Sequence, residues 1–277
     1  LDYFDLMKTD ALTPSGNPVD QFHFTYDTDV WEQLSQSGIS AGYGFNLALI
    51  SRSPPRKIVV TYNEPNSPAA INNVSRGAEI IEVDGASVAD GNADILNAGM
   101  FPSALGESHS FVIRDLNAVE TRTVTLTSTE ITSRAVKNVR TLELGDSRVG
   151  YMTFNDYLGA SESLLIDAVK QLAASNINDL VIDMRYNGGG YLAIASELAY
   201  MVAGNVADGQ VFEEKIFNDK HPSFNPITGS ALQPTLFRTT AEGFSAPKGS
   251  ALPVLNLPRV FVLSSGDTAS ASEAFIN

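Results

Sequence analysis

The chain is 277 residues long, 43% hydrophobic and 18% charged, with 18 Lys and Arg against 32 Asp and Glu, a net charge of −14. A surface this acidic repels phosphate backbones and anionic lipid, which argues against nucleic-acid or peripheral-membrane binding. The absence of cysteine excludes disulfides, thiolate metal sites and cysteine nucleophiles, and no apolar run approaches the roughly 18 residues that a membrane-crossing helix needs.

At about 150 residues per domain, the length predicts two domains and a short extra segment. Residues 1–37 mix aromatic and polar types, with a helix expected around 29–37. From residue 38 to 130 the texture is that of a small β-rich domain. Strands are expected at 47–50, 57–62, 79–83, 110–114 and 122–126, with turns at Pro54-Pro55 and Asp84-Gly85. From 131 to 277 strand and helix alternate. Strands are expected at 149–154, 180–184 and 260–263. One helix carries Leu164, Leu165, Ala168, Val169 and Leu172 on a single face, with Glu162 in its first turn, and another carries Leu192, Ala195, Leu198, Ala199 and Val202. That alternation predicts an α/β domain with a largely parallel sheet. A polar, Pro-containing excursion over 205–252 is too long for a simple connection. The chain opens on Leu1 and closes on Ala274-Phe275-Ile276-Asn277 with no helix stop signal, so both ends are expected to be cut.

Three short stretches carry candidate chemistry. In Gly42-Tyr43-Gly44-Phe45, two glycines let successive N–H groups face a carboxylate while the aromatics line an apolar slot; the plain alternative is a glycine turn. In Asp183-Met184-Arg185-Tyr186-Asn187-Gly188-Gly189-Gly190, a glycine-rich strand-to-helix turn presents N–H donors to an oxyanion or a phosphate. Gly188-x-Gly190-x-x-Ala193, with Asp208 about 20 residues on, also satisfies a dinucleotide-binding fingerprint. In Asp267-Thr268-Ala269-Ser270-Ala271-Ser272-Glu273, Ser270 and Glu273 fit a Ser-x-x-Glu capping box. The same geometry exposes a hydroxyl at a helix N-terminus, where developing negative charge is stabilised. The histidines show no metal-ligand spacing, and neither a metal nor an organic cofactor is expected.

The loop at Gly42–Phe45, followed by Ser67-Pro68-Ala69-Ala70 and by the run from Gly77 to Val88, resembles a PDZ domain, with Ala78 and Asp84 in place of the usual Asp and Asn. That resemblance implies capture of a peptide C-terminus as an added strand. The order that follows, "VGYMTFNDY", an amphipathic helix, "LVIDMRYNGGG" and "SASE", resembles the S41 peptidases, the tail-specific or C-terminal processing proteases. The resemblance covers about 38–277, and residues 1–37 look like the end of that family's N-terminal helical region. It implies a crotonase-like or ClpP-like α/β core and makes Ser270 the nucleophile, with Thr268 in place of a first serine. Gly188 or Gly189, with the Ala271 amide, would form the oxyanion hole, and water would release the acyl-enzyme. It further implies polypeptide substrates with free C-termini and a periplasmic or secreted location. The family's base is a lysine roughly two dozen residues after the serine, and this chain runs only to Asn277. The base is therefore expected beyond that residue, and these 277 residues alone are expected to be inactive. Lys215, Lys220, Lys248 and His221 read as solvated loop charges. The alternatives are a catalytically inactive peptide-binding protein with a degenerate protease core, or a dinucleotide-binding enzyme.

Overall fold

The computed structural model describes residues 2–14, 19–20, 23, 25, 27–51 and 53–277. Two short helices come first, α1 (Asp2–Asp5) and α2 (Thr28–Ser37). The start of α2 is set by Asp27, whose carboxylate accepts the Asp29 and Val30 N–H groups. Gly38, at φ 69°, ends it in a left-handed turn.

An antiparallel β unit follows: β1 (Ile39–Gly42), β2 (Phe45–Ser51), β3 (Lys57–Asn63), α3 (Pro68–Ile71), β4 (Glu79–Val83), β5 (Ala86–Ser87), α4 (Ala93–Met100), β6 (Ser108–Arg114), β7 (Arg122–Thr127) and β8 (Thr129–Thr132). The main sheet runs β2-β3-β4-β6-β7, with β5 on β4, while β1 and β8 pair with each other. The alternation in Arg122–Thr127 turns Val124 and Leu126 inward. They join Tyr43, Ile58, Val60, Ile80, Val83, Leu96, Phe111 and Ile113 in a core of their own. α4 was not expected from the sequence, because Asn97 and Gly99 dilute its helical signal over only eight residues.

The second unit contains β9 (Val136–Leu144), β10 (Ser147–Phe154), α5 (Ser161–Ala174), β11 (Asp179–Asp183), α6 (Leu192–Ala203), β12 (Val211–Glu213), β13 (Thr235–Leu236), β14 (Val260–Leu263) and α7 (Ala271–Ile276). Its sheet runs β14-β11-β10-β9. β14, β11 and β10 are parallel, while β9 is an antiparallel edge strand. β9 also escaped the sequence reading, since an edge strand carrying Lys137, Arg140 and Glu143 shows little hydrophobic alternation. α5 buries Leu165, Ala168, Val169 and Leu172 as its 3.6-residue period requires.

The 205–252 excursion divides in two. Its first part holds the small β12–β13 pair. Its last part returns to the core, where Ala241 and Leu252 are buried and Phe244, Ala246, Leu255 and Leu257 pack alongside. We call residues 238–252 the strap.

The units meet at a buried ion pair, Lys137 Nζ to Glu64 Oε1 at 2.6 Å. Burial lowers the Lys137 pKa against the opposing pull of Glu64. Nearby, Tyr62 of β3 lies 6.3 Å from Tyr186, ring centre to ring centre. Arg76 donates to the Tyr186 hydroxyl at 3.3 Å.

Candidate active site

Open α/β sheets place ligands at the carboxyl ends of their strands. Two loops stand there, 184–190 after β11 and 264–270 after β14, and they are laced together. Thr268 Oγ1 donates to Met184 O at 2.8 Å, and Ala269 N–H and Ser272 Oγ both donate to Asn187 O at 3.1 Å. Ser265 Oγ donates to Arg185 O. Asp183 steadies the base of the first loop by accepting from Arg185 Nε at 2.8 Å and from Tyr151 Oη at 2.9 Å. Burial pushes the Asp183 carboxyl up, but these bonds outweigh it and hold the pKa below the usual carboxylate range.

Ser270 is exposed at the turn into α7. Its backbone sits at φ 55°, ψ −116°, a region that serine avoids because its Cβ crowds the neighbouring carbonyl. Such strain is held only where the surroundings over-determine it. Here the Ser270 N–H is anchored on Glu273 Oε2 at 2.9 Å, one arm of the capping box expected from the sequence.

The glycine loop packs directly against this turn. Gly189 is at φ 108°, and a Cβ there would stand 2.7 Å from Ser270 Cβ and 2.9 Å from Ala269 O, so only glycine fits. Its N–H is already engaged, donating to Asn187 Oδ1 at 2.9 Å. Among the described residues, the Gly188 and Ala271 N–H groups donate to no protein acceptor. Of the two glycines implied as oxyanion donors, Gly188 is the one with a free amide. Asn187, which the sequence reading did not single out, also donates from Nδ2 to Phe154 O at 3.1 Å. It thereby fixes the loop to the end of β10.

Other sequence candidates lie elsewhere. Lys248 Nζ is 3.8 Å from Glu242, and His221 stacks edge-on against Phe224. The dinucleotide alternative fits poorly. A Cβ at Gly190 would be 2.5 Å from Tyr157 O, so that glycine serves packing against the segment between β10 and α5. Asp208 lies beyond the far end of α6, a 12-residue helix and so about 18 Å long.

A second concavity belongs to the β unit. The Tyr43 carbonyl accepts the Ala69 N–H at 2.9 Å and the Gly44 carbonyl accepts the Glu64 N–H at 2.6 Å. Among the described residues, the Tyr43 and Gly44 N–H groups donate to no protein acceptor. They border a groove of about 410 Å³ lined by Phe45, Leu47, Tyr62, Met100 and Phe101. An adjoining hollow of about 180 Å³ is lined by Leu49, Ile58 and Leu96. Among the described residues, strand β2 pairs only with β3, leaving its other edge open along this groove. Tyr43 itself points into the core, and burial pushes its phenol up to about 12.

Comparison with known proteins gives this geometry a context. Residues 148–277 match the model of "Peptidase family S41". Over 173 residues, 60% of this chain, the sequence is 29% identical to the chloroplastic carboxyl-terminal-processing peptidase 2 of Arabidopsis thaliana, covering 32% of that protein. Over another 173-residue match it is 24% identical to a carboxyl-terminal-processing protease of Picosynechococcus sp., covering 39% of it. The chain thus spans about a third of the length of these curated relatives. In fold it is similar to a crystal structure from Bacteroides fragilis NCTC 9343 described as a candidate S41 protease. The TM-score is 0.56 at 21% identity, covering 100% of this chain and 74% of that one. Residues 148–277 are thus similar to the S41 peptidases, and the chain is similar to two carboxyl-terminal-processing proteases.

Proposed function

We propose that the chain is the substrate-capturing and nucleophile-bearing part of a serine endopeptidase of the C-terminal processing type. Residues 38–130 act as a PDZ-like domain. The free Tyr43 and Gly44 amides take a terminal carboxylate, and the peptide adds to the open edge of β2. Residues 131–277 form the protease core, with the crotonase-like or ClpP-like architecture that the resemblance implies. Ser270 Oγ attacks the scissile carbonyl, the Gly188 and Ala271 amides hold the resulting oxyanion, and water then releases the acyl-enzyme. The general base that the resemblance implies is a lysine about two dozen residues after Ser270. The setting is periplasmic or secreted, as the family resemblance implies.

The observation that carries this reading is the strained, exposed Ser270 packed against Gly189, with the amides of the adjoining Gly188 and Ala271 unpaired among the described residues. A helix cap needs neither the strain nor the open donors. The test is hydrolysis of an unstructured polypeptide by the full-length protein, with the cut sites read by mass spectrometry. Cleavage that Ser270→Ala removes supports the proposal; cleavage that survives it refutes Ser270 as nucleophile. Peptide binding without any cleavage leaves a peptide-binding protein instead.

The groove makes a separate prediction. Amidating the peptide's C-terminus deletes a charge-assisted contact of about 1.5–3 kcal/mol, so binding should weaken about 10- to 150-fold. Equal affinity for the acid and amide forms, measured by titration calorimetry, would remove Gly42–Phe45 from the role of carboxylate loop.

A further inference from the structure

Two glutamates on neighbouring helices are buried where no cation neutralises both. Glu162, in the first turn of α5, is 0% exposed, and Glu197, in the middle of α6, is 1% exposed. All their backbone partners come from the strap. Glu162 Oε1 accepts the Gly243 N–H at 2.9 Å, and its Oε2 accepts those of Ser245 and Ala246 at 2.7 Å each. Glu197 Oε1 accepts the Glu242 N–H at 2.7 Å. Glu197 Oε2 is buried and has no donor among the described residues, while Glu162, held by the same strap segment, bears on it electrostatically. Two carboxylates cannot hydrogen-bond to each other; a carboxyl and a carboxylate can. A proton on Glu197 Oε2, donated to Glu162, accounts for the orphan atom.

The strap held in this way touches the glycine loop. Phe244 packs on Tyr191 with ring centres 4.5 Å apart. Tyr191 directly follows Gly190, and its N–H donates to Tyr157 O at 2.9 Å. Gln36 of α2 donates to the Tyr191 hydroxyl at 3.1 Å. Ser245 Oγ ties the strap to the start of α5 by donating to Gly159 O at 2.8 Å and accepting the Ser163 N–H at 3.0 Å.

We infer that Glu162 and Glu197 are positioning residues that share one proton, forming a latch that closes residues 242–246 over α5 and α6 and sets the glycine loop through Phe244 and Tyr191. The charged groups facing the pair are Arg238 and Glu242 of the strap, which bond to each other, and Lys248 beyond Glu242. Burial, reinforced by the neighbouring Glu162 carboxylate, pushes Glu197 up to about 8. Burial also pushes Glu162 up, but its three N–H donors outweigh this and hold it below the usual range.

The sign of the pH effect follows. When the strap lifts, Glu197 becomes solvated, returns to the ordinary carboxylate range near 4.3 and releases its proton. Between that value and about 8 the closed form binds one more proton than the open form. Raising the pH through this window therefore favours opening by up to tenfold per unit, and above about 8 the effect levels off. Glu162 acts oppositely and only below the window.

The effect on hydrolysis rests on the peptidase reading, but the latch itself does not. Hydrogen exchange of the peptide spanning 242–246, corrected for intrinsic rate, should lose about 100-fold protection between pH 5.5 and 7.5. Segments of the β unit's core sheet should not follow it. Glu197→Gln keeps an acceptor for the Glu242 N–H and a permanent donor to Glu162, so it should retain protection with a flat pH profile. Glu162→Gln, whose NH2 must face either the Gly243 N–H or the Ser245 and Ala246 N–H groups with a donor, should lose strap protection at every pH. In the full-length protein, kcat should follow strap protection while KM does not. A wild-type strap with no pH slope, or an equal slope in Glu197→Gln, overturns the latch. A full-length protein that hydrolyses nothing overturns the peptidase reading while exchange still decides the latch.

Discussion

Ser270→Gly is expected to stabilise the protein by about 1 kcal/mol while abolishing peptide hydrolysis by the full-length enzyme. The backbone at that residue sits at φ 55°, ψ −116°. A non-glycine residue held in a sparsely populated region costs of order 1–3 kcal/mol, and removing Cβ relieves much of this. The gain is reduced because glycine has more unfolded-state freedom to lose. A serine serving only as a helix cap behaves otherwise: replacing it by glycine costs a few tenths of a kcal/mol. The two readings of one residue therefore predict opposite signs. Ser270→Ala keeps the Cβ and the strain, so it should be inactive without the gain. For a chain of this size 1 kcal/mol moves Tm by roughly 2–4 °C, within reach of calorimetry. Loss of the nucleophile should lower kcat by about 10⁴- to 10⁶-fold. A glycine variant less stable than wild type would return Ser270 to the role of cap and remove the main support for a strained nucleophile.

The contrast between what the sequence carries and what it hides has a physical origin. The strands β3, β4, β6 and β7 and the helices α5 and α6 bury one face, and burial of one face writes a period into the chain. β9 is half-exposed and charged, so its partnership with β10 leaves no such trace. Motifs made readable the three loops that carry the candidate chemistry, because their glycines and serine stand at fixed spacings in the turn between β1 and β2 and in the loops after β11 and β14. The conformation of Ser270 was not readable, since nothing in the identity of a serine announces a positive φ. Nor was Asn187 readable as an organiser, because its partners, Phe154 O and Gly189 N–H, are backbone atoms that any sequence supplies. The strap is the extreme case. Its partners Glu162 and Glu197 lie some 80 and 45 residues away, and they bind its N–H groups rather than its side chains. In the sequence Glu162 offers only an acid in a first helical turn.

Asn187→Ala is expected to be the most damaging substitution outside the nucleophile, lowering stability by about 2–4 kcal/mol and kcat by about 10²- to 10³-fold with little change in KM. Asn187 is fully buried. Its side chain satisfies one donor and one acceptor at once, the Gly189 N–H and the Phe154 carbonyl. Truncation leaves both buried and unpaired, at about 1–3 kcal/mol each. The released Gly189 N–H also loses the acceptor that fixes the glycine loop, and with it the proposed placing of the Gly188 amide as an oxyanion donor is loosened. Asn187→Asp separates these effects. Its carboxylate can still accept from Gly189, but the oxygen replacing Nδ2 opposes the Phe154 carbonyl unless it carries a proton. Burial and that carbonyl both favour the protonated form and raise the Asp pKa above its unfolded value. The native state then binds more protons than the unfolded state, so stability falls as pH rises through the window between the two values. The aspartate variant should therefore approach wild-type stability near pH 4–5 and fall towards the alanine variant at pH 8, as chemical denaturation at the two pH values would show. An aspartate variant matching wild type at both would mean that the Phe154 contact contributes nothing and that Asn187 acts through Gly189 alone.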